Sequence, residues 1–328
     1  MKICAYGVRA DEEQVFAAVS AARGVELVAL KEEPSLANAA AAAGCEGVTI
    51  LGANKIGPAL LEAWRAGGVG YLSTRTIGYD HIDVACARRL GIRVCNASYP
   101  PSGVAEYTVM LMLLCLRKYK QALWRGQIND FSLAELQGRE LGSLTVGVMG
   151  TGRIGRAVIQ ILTGFGCKIL ATTPHPRDDL RGVAEYVDRD TLYARSDLIS
   201  LHMPLNQATY HMIDRAAIAK MRDGVVLINC ARGAMADTDA LIEGIESGKL
   251  GALGLDVLEG EEGINHVDHR DDILINRDMA YLRQFKNVVM TPHMAFYTDT
   301  AVASMVCRGV EGLVQMRQGT PCPTELKG

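Results

Sequence analysis

Between Thr145 and Thr173 the chain passes through an order of segments that leaves few folds open. Thr145-Val146-Gly147-Val148-Met149 reads as a buried strand. Gly150-Thr151-Gly152-Arg153-Ile154-Gly155 follows, then an apolar-periodic run from Ala157 to Leu162, then Cys167-Lys168-Ile169-Leu170-Ala171-Thr172-Thr173. Strand, glycine turn, helix and second strand in that order form a βαβ unit of a parallel sheet. The spacing has a chemical reason. Gly150 permits the tight turn, Gly152 lets backbone approach a pyrophosphate, and Gly155 lets the helix pack close to the strand. The helix N-terminus then faces the phosphate charge, so the stretch predicts a dinucleotide site.

The end of the second strand bears on which dinucleotide. An acidic residue there would accept hydrogen bonds from the adenosine ribose hydroxyls and repel a 2′-phosphate. This chain has Thr173 instead, followed by Pro174-His175-Pro176-Arg177. Arg177 or His175 can meet a phosphate, so NADP(H) is expected to be accepted and slightly favoured over NAD(H). The plainer reading is that Thr173 only ends a strand and NADH is used without a carboxylate contact.

At 328 residues, 49% of them apolar and 22% charged, the chain can form two domains with substantial cores. A formal charge of −3 and the lack of a lysine/arginine block give no general attraction to nucleic acid or anionic membrane. The expected partner is a small molecule. Nine cysteines without a C-x-x-C pair, several inside apolar runs (Cys4, Cys115, Cys167), read as reduced core residues and favour a cytoplasmic home. Met1 to Tyr6 reads as a strand and has no signal-peptide pattern, and Val109 to Leu116 is too short to span a bilayer.

Taken in order, residues 2 to 8 read as a strand, Asp11 to Arg23 as a helix and Glu26 to Leu30 as a strand. Pro34 to Ala43 reads as an alanine-rich helix, Gly47 to Leu51 as a strand, Pro58 to Ala66 as a helix and Gly70 to Thr74 as a strand. A helix over Ile82 to Arg89 and a strand over Arg93 to Asn96 precede a crossover at Tyr99 to Gly103. Val104 to Tyr119 predicts one long apolar helix. The stretch to Gly142, with Trp124 and Phe131, fits neither core and predicts an arm, about 117–142, that packs on a second subunit as a homodimer. Beyond the glycine unit, strands are expected at Leu198 to His202, Val225 to Asn229, Gly254 to Val257 and Val288 to Thr291. Helices are expected at Asp214 to Met221, Asp237 to Ser247 and, more loosely, Ile273 to Phe285, before a last helix from Thr298 to Gln318. The fold class is therefore α/β, with two Rossmann-like parallel-sheet domains. A discontinuous substrate domain, 1–99 and 298–328, is expected around an inserted dinucleotide-binding domain, 100–297.

Four motifs extend the reading. They are the glycine turn, Leu227-Ile228-Asn229-Cys230-Ala231-Arg232-Gly233, Asp256-Val257-Leu258-Glu259-Gly260-Glu261, and Thr291-Pro292-His293. With these the chain resembles the D-isomer-specific 2-hydroxyacid dehydrogenase family across essentially its whole length. Ser73 to Gly78, Asn96 to Tyr99 and Thr291 to Thr298 look like its D-lactate dehydrogenase branch, including the vancomycin-resistance type. The resemblance implies reduction of a 2-keto acid to a D-2-hydroxy acid, pyruvate to D-lactate first, with phenylpyruvate or 2-ketoisocaproate as the alternative. Relatives of this fold that act as nucleotide-sensing corepressors give a binding-protein alternative of another class, against which the lack of an extra tail argues.

That chemistry needs hydride at the carbonyl carbon, a proton for the oxygen and a cation for the carbonyl and carboxylate. By resemblance His293 is the proton donor, Glu261 its carboxylate partner and Arg232 the cation. Glu259 competes with Glu261, because the two alternate on an extended segment, and the family pattern selects Glu261. The substrate would be bound by Arg75, Ile77, Gly78, Arg232 and His293, with Tyr99 and Phe296 as pocket walls. The cofactor roles implied are Arg153 and Ile154 at the pyrophosphate turn, and Met203, Pro204, Thr209, Cys230, Ala231, Arg232, Asp256 and Ala295 on the nicotinamide side. Met294 departs from the small polar residue usual after the histidine. His266, Asp268, His269, Asp271 and Asp272 read as solvated surface with no metal role, and Cys230 as a thiol beside the cofactor.

Overall fold

The computed structural model describes residues 1–52 and 54–326, and the chain divides into two units. One joins Met1–Pro100 to the segment from Tyr297 onward, and the other is Pro101–Phe296. Lys327 and Gly328, which close the expected 298–328 segment, lie outside the described residues.

In the first unit β1 (Lys2–Ala5), β2 (Glu26–Ala29), β3 (Gly47–Ile50), β4 (Tyr71–Thr74) and β5 (Arg93–Cys95) pair in parallel, in the order β2-β1-β3-β4-β5. Helices α1 (Glu13–Arg23), α2 (Pro58–Ala66), α3 (Val84–Arg89) and the C-terminal helix, Asp299–Gln318, accompany it. The sheet is covered on both faces, which is why its strands read as short continuous apolar runs. Cys4, Val48, Ile50, Leu72 and Val94 pack with Leu61 and Trp64, whereas Ile3, Ala5 and Cys95 pack with Val306, Val310 and Leu313. The expected helix over Pro34 to Ala43 is reduced to one 3-10 turn, Ala39–Ala42. Asn38 is the reason. Its Nδ2 donates to the Glu33 carbonyl at 2.9 Å, the acceptor a first helical turn would use, while its Oδ1 accepts the Ser35 N–H at 2.8 Å and closes a local turn instead.

The second unit opens with α4 (Ser102–Leu116), apolar around its whole circumference and buried through Ala105, Val109, Leu111, Met112 and Cys115. It ends before the expected Tyr119, because Lys118 adopts φ 51° and the chain restarts as α5 (Tyr119–Gln127). That turn lets the Lys120 ammonium donate to the carbonyls of Arg283, Phe285 and Val288 at 2.8, 2.7 and 2.8 Å.

Seven strands follow: β6 (Thr145–Met149), β7 (Lys168–Thr172), β8 (Glu185–Tyr186), β9 (Leu198–Leu201), β10 (Val225–Asn229), β11 (Leu250–Leu255) and β12 (Val288–Met290). All pair in parallel, in the order β12-β11-β10-β9-β6-β7-β8. Their connections include α6 (Arg153–Thr163), α7 (Arg189–Arg195), α8 (Arg215–Lys220), α9 (Thr238–Glu246) and α10 (Arg277–Leu282). β8 and α7 were not expected. The one is two residues long and the other one short helix, but Asp188, which accepts the Thr191 N–H at 2.9 Å, is a readable N-cap. From β6 the chain builds the sheet first toward β8 and then, from β9, the other way. This is the switch point at which doubly wound sheets bind ligands beyond their strand ends. Among the described residues no helix is long and apolar enough to cross a membrane.

Candidate active site

The glycine loop joins β6 to α6 at the switch point. Gly150 has φ 93°, and a Cβ there would lie 2.6 Å from the His202 carbonyl oxygen. A Cβ on Gly155 would overlap the Gly150 carbonyl, whereas one on Gly152 would meet nothing within 4 Å. Gly152 thus faces open space, and it caps α6 without a side-chain hydrogen bond, which leaves the first helical N–H groups for an anion. Thr151 Oγ1 is buried with no partner among the described residues. An open cradle and an orphaned hydroxyl fit a dinucleotide pyrophosphate beside Arg153 and Ile154.

Other expected cofactor residues lie on the same C-terminal edge. Met203, Pro204 and Thr209 follow β9, and Thr209 Oγ1 donates to the Pro204 carbonyl at 2.7 Å. Beyond β7, Thr173 is half-buried, while His175 and Arg177 are exposed. Arg177 donates its backbone N–H to the Tyr186 hydroxyl at 3.0 Å.

Beyond β10, Asn229 folds its side chain back: Oδ1 accepts the Ala231 N–H at 3.0 Å and Nδ2 donates to the Arg232 carbonyl at 2.8 Å. The resulting turn carries Cys230, Ala231 and Arg232. Gly233 is required by packing, since any Cβ would overlap the Leu258–Glu259 backbone. Burial, with help from the Asp256 carboxylate, pushes the Cys230 thiol up to about 12, so it is no ready nucleophile.

The segments after β11 and β12 bring Glu261 to His293. His293 holds φ 51°, fixed by its N–H donating to the carbonyls of Asp256 at 2.8 Å and Thr291 at 3.0 Å. Its Nδ1 lies 2.7 Å from Glu261 Oε1, and Glu261 Oε2 accepts the Leu258 N–H at 2.8 Å. A carboxylate on Nδ1 requires a proton there, so exchange with a bound molecule falls to Nε2. Nε2 carries no hydrogen bond among the described residues. Glu259 faces another way. It takes the His211 Nε2 at 2.7 Å and the Tyr210 hydroxyl at 3.4 Å, the two rings stacking at 4.0 Å.

Asp256, expected on the nicotinamide side, is 1% exposed and staples the His293 loop. Its Oδ1 accepts the Thr291 hydroxyl at 2.7 Å and the Met294 N–H at 2.9 Å, and its Oδ2 accepts the Ala295 N–H at 2.8 Å. Sequence reading missed this staple and the Glu259–His211 clamp, because each depends on partners remote along the chain. His266 closes the group: its Nε2 lies 3.0 Å from the His293 carbonyl, and its ring stands 6.1 Å from that of Phe296 at 68°. Phe296 is likewise edge-on to His293, at 6.5 Å.

Within the first unit, Thr76 Oγ1 donates to the Gly78 carbonyl and Asn96 Nδ2 to that of Ile77, both at 2.6 Å. Both carbonyls are claimed, whereas the N–H groups of Ile77 and Gly78 make no hydrogen bond among the described residues, an arrangement suited to a carboxylate. Tyr99 follows shortly after β5. Arg75 corrects an expectation. It is wholly buried, its Nε 3.1 Å from Glu12 Oε1 and its Nη2 donating to the carbonyls of Tyr6 and Gly7. It braces the turn after β1 and is not open to a substrate.

The model for the NAD-binding domain of D-isomer-specific 2-hydroxyacid dehydrogenases matches residues 109–295. An aromatic 2-oxoacid reductase of Clostridium sporogenes is 44% identical over 310 residues, 93% of each chain. A D-specific alpha-keto acid dehydrogenase of Enterococcus faecium is 38% identical, over 96% of this chain and 97% of that one. The crystal structure of a D-lactate dehydrogenase from Treponema pallidum superposes with a TM-score of 0.89 at 30% identity, over the full length of both chains. A glycine loop at the switch point, a histidine held by a carboxylate and similarity over the whole length agree, and this chain belongs to the D-isomer-specific 2-hydroxyacid dehydrogenase family.

Proposed function

We propose that the chain reduces a 2-keto acid to its D-2-hydroxy acid with NAD(P)H, pyruvate to D-lactate being the first assignment. The observation that carries this reading is the 2.7 Å pair of His293 and Glu261 with Nε2 left open. A bound nicotinamide supplies the hydride. His293 gives its Nε2 proton to the carbonyl oxygen, so that hydride and proton together make the hydroxyl. Glu261 holds the ring in the donating tautomer. Arg232 polarises the carbonyl and pairs with the carboxylate, which the N–H groups of Ile77 and Gly78 also take.

Gly150, Gly152, Arg153, Ile154 and Gly155 are assigned to the pyrophosphate. Thr173, His175 and Arg177 are assigned to the adenosine ribose, with NADP(H) slightly favoured. Met203, Pro204, Thr209, Cys230, Ala231, Asp256 and Ala295 are assigned to the nicotinamide side. A second reading, an aromatic keto acid, is supported by the Clostridium relative and by the ring edges of His266 and Phe296 beside His293. Comparing kcat/KM for pyruvate and phenylpyruvate decides between them. Free thiols throughout favour a reducing, cytoplasmic setting. The arm over 117–142 is assigned to a homodimer contact.

A further inference from the structure

One acidic side chain beyond β7 sits between two cations. The Asp179 carboxylate bridges two guanidiniums: Oδ2 lies 2.8 Å from Arg156 Nη1 and Oδ1 lies 3.3 Å from Arg177 Nε. Arg156 belongs to the first turn of α6, directly beyond the glycine loop, and Arg177 to the loop that leaves β7. The two cations come from the two elements that flank the adenosine end of a dinucleotide in this type of sheet. Arg156 Nε is buried and has no partner among the described residues, so that guanidinium carries a donor its carboxylate does not use. The backbone of Arg177 is anchored on the Tyr186 hydroxyl of β8, which holds the loop in place.

We propose that Arg156 and Arg177 form a subsite for a phosphomonoester, the 2′-phosphate of an adenosine, and that Asp179 is its built-in surrogate. A carboxylate offers two oxygens and one charge. A phosphomonoester offers three oxygens and nearly two charges, enough for both forks and the idle Nε. Binding of the phosphate displaces Asp179. With an unphosphorylated ribose, Asp179 stays and keeps the two arginines neutralised, so both forms of the cofactor are accommodated. Thr173, neutral at the strand end, leaves the ribose without the carboxylate that would repel a phosphate. This rests on the dinucleotide reading above and adds the residues that read the 2′ position.

The test is titration calorimetry of the full chain with adenosine 2′,5′-bisphosphate, with AMP and with NADH. Arg156→Gln and Arg177→Gln are each expected to weaken the bisphosphate roughly tenfold, the weight of one charge-assisted hydrogen bond. AMP affinity should fall less than bisphosphate affinity in both variants, with Arg156→Gln keeping it within about twofold, and circular dichroism reports that both variants are folded. Asp179→Asn should raise bisphosphate affinity relative to AMP. Parallel changes for both ligands, or an unmoved ratio in Asp179→Asn, would overturn the subsite while leaving the dinucleotide reading intact. Failure of AMP, the bisphosphate and NADH alike to bind the unaltered chain would overturn both.

Discussion

Two histidine–carboxylate pairs at 2.7 Å stand on the same loop system, and only one is arranged for proton transfer. His293 has an open Nε2, whereas His211 uses its Nε2 on Glu259, is stacked under Tyr210 and donates its backbone N–H to the Ala234 carbonyl. Replacing His293 by alanine should therefore lower kcat by roughly 10²-fold or more, with cofactor affinity kept; near-normal turnover would remove it from the mechanism. His211→Asn should cost less than about tenfold in kcat, because it loosens the segment that carries Glu261 without touching the proposed proton donor. Stopped assays on both variants measure the difference. Arg232→Gln should raise KM and lower kcat together, since the guanidinium is proposed to serve both binding and polarisation. Sequence motifs pointed to His293 and Glu261, which the structure holds at 2.7 Å, and to Arg232, whose role stays a proposal. An extended segment offers both Glu259 and Glu261; the family pattern selected Glu261, and in the fold Glu259 meets His211 while Glu261 meets His293. Arg75 misled for a related reason: it stands next to Ile77 and Gly78 in sequence, but Glu12, its partner, reaches it only through the packed sheet.

At the scale of elements, apolar runs and glycine turns located most strands, because each parallel strand is buried on both faces and carries its signal locally. Local side-chain bonds decided the misses. Asn38 dismantles a helix that alanine content favours, and Lys118 divides α4 from α5 through one left-handed residue. Asp197 shows how an element is registered from a distance. Its Oδ2 accepts the Thr145 N–H at the start of β6 at 2.9 Å, and its Oδ1 pairs with Arg139 and Arg222 at 3.0 Å. Burial works to raise this carboxyl, yet the Thr145 N–H and the two arginines outweigh it and hold it below its usual range. A carboxylate depressed in the folded state stabilises above the unfolded value, and that contribution is lost as pH falls through the folded one. Asp197→Ala should thus destabilise the protein by about 1–3 kcal/mol at neutral pH, and by less in acid. Urea unfolding at the two pH values checks this; an equal loss at both would assign the effect to packing. Thr173→Asp, at the end of β7, should move cofactor preference toward NADH, read as the ratio of kcat/KM.

Over the whole molecule, two parallel sheets with different strand orders share one chain, and only the second carries a glycine fingerprint. The first sheet is of the order 2-1-3-4-5, which places its own switch point between β1 and β3. The arm supplies the largest exposed apolar side chains near α5: Trp124 is 66% exposed, Phe131 79% and Leu133 84%. Such a surface is unusual for a monomer. Light scattering is expected to give a dimer that Trp124→Glu weakens, and a monomeric unaltered chain would refute the assignment. The most direct test of D-specific keto-acid reduction offers the chain pyruvate, phenylpyruvate and 2-ketoisocaproate with NADH and with NADPH, and determines the handedness of the product. A D-2-hydroxy acid, formed by the unaltered chain and lost in His293→Ala, is the result predicted. An L-product, or no turnover with any pair, would contradict it.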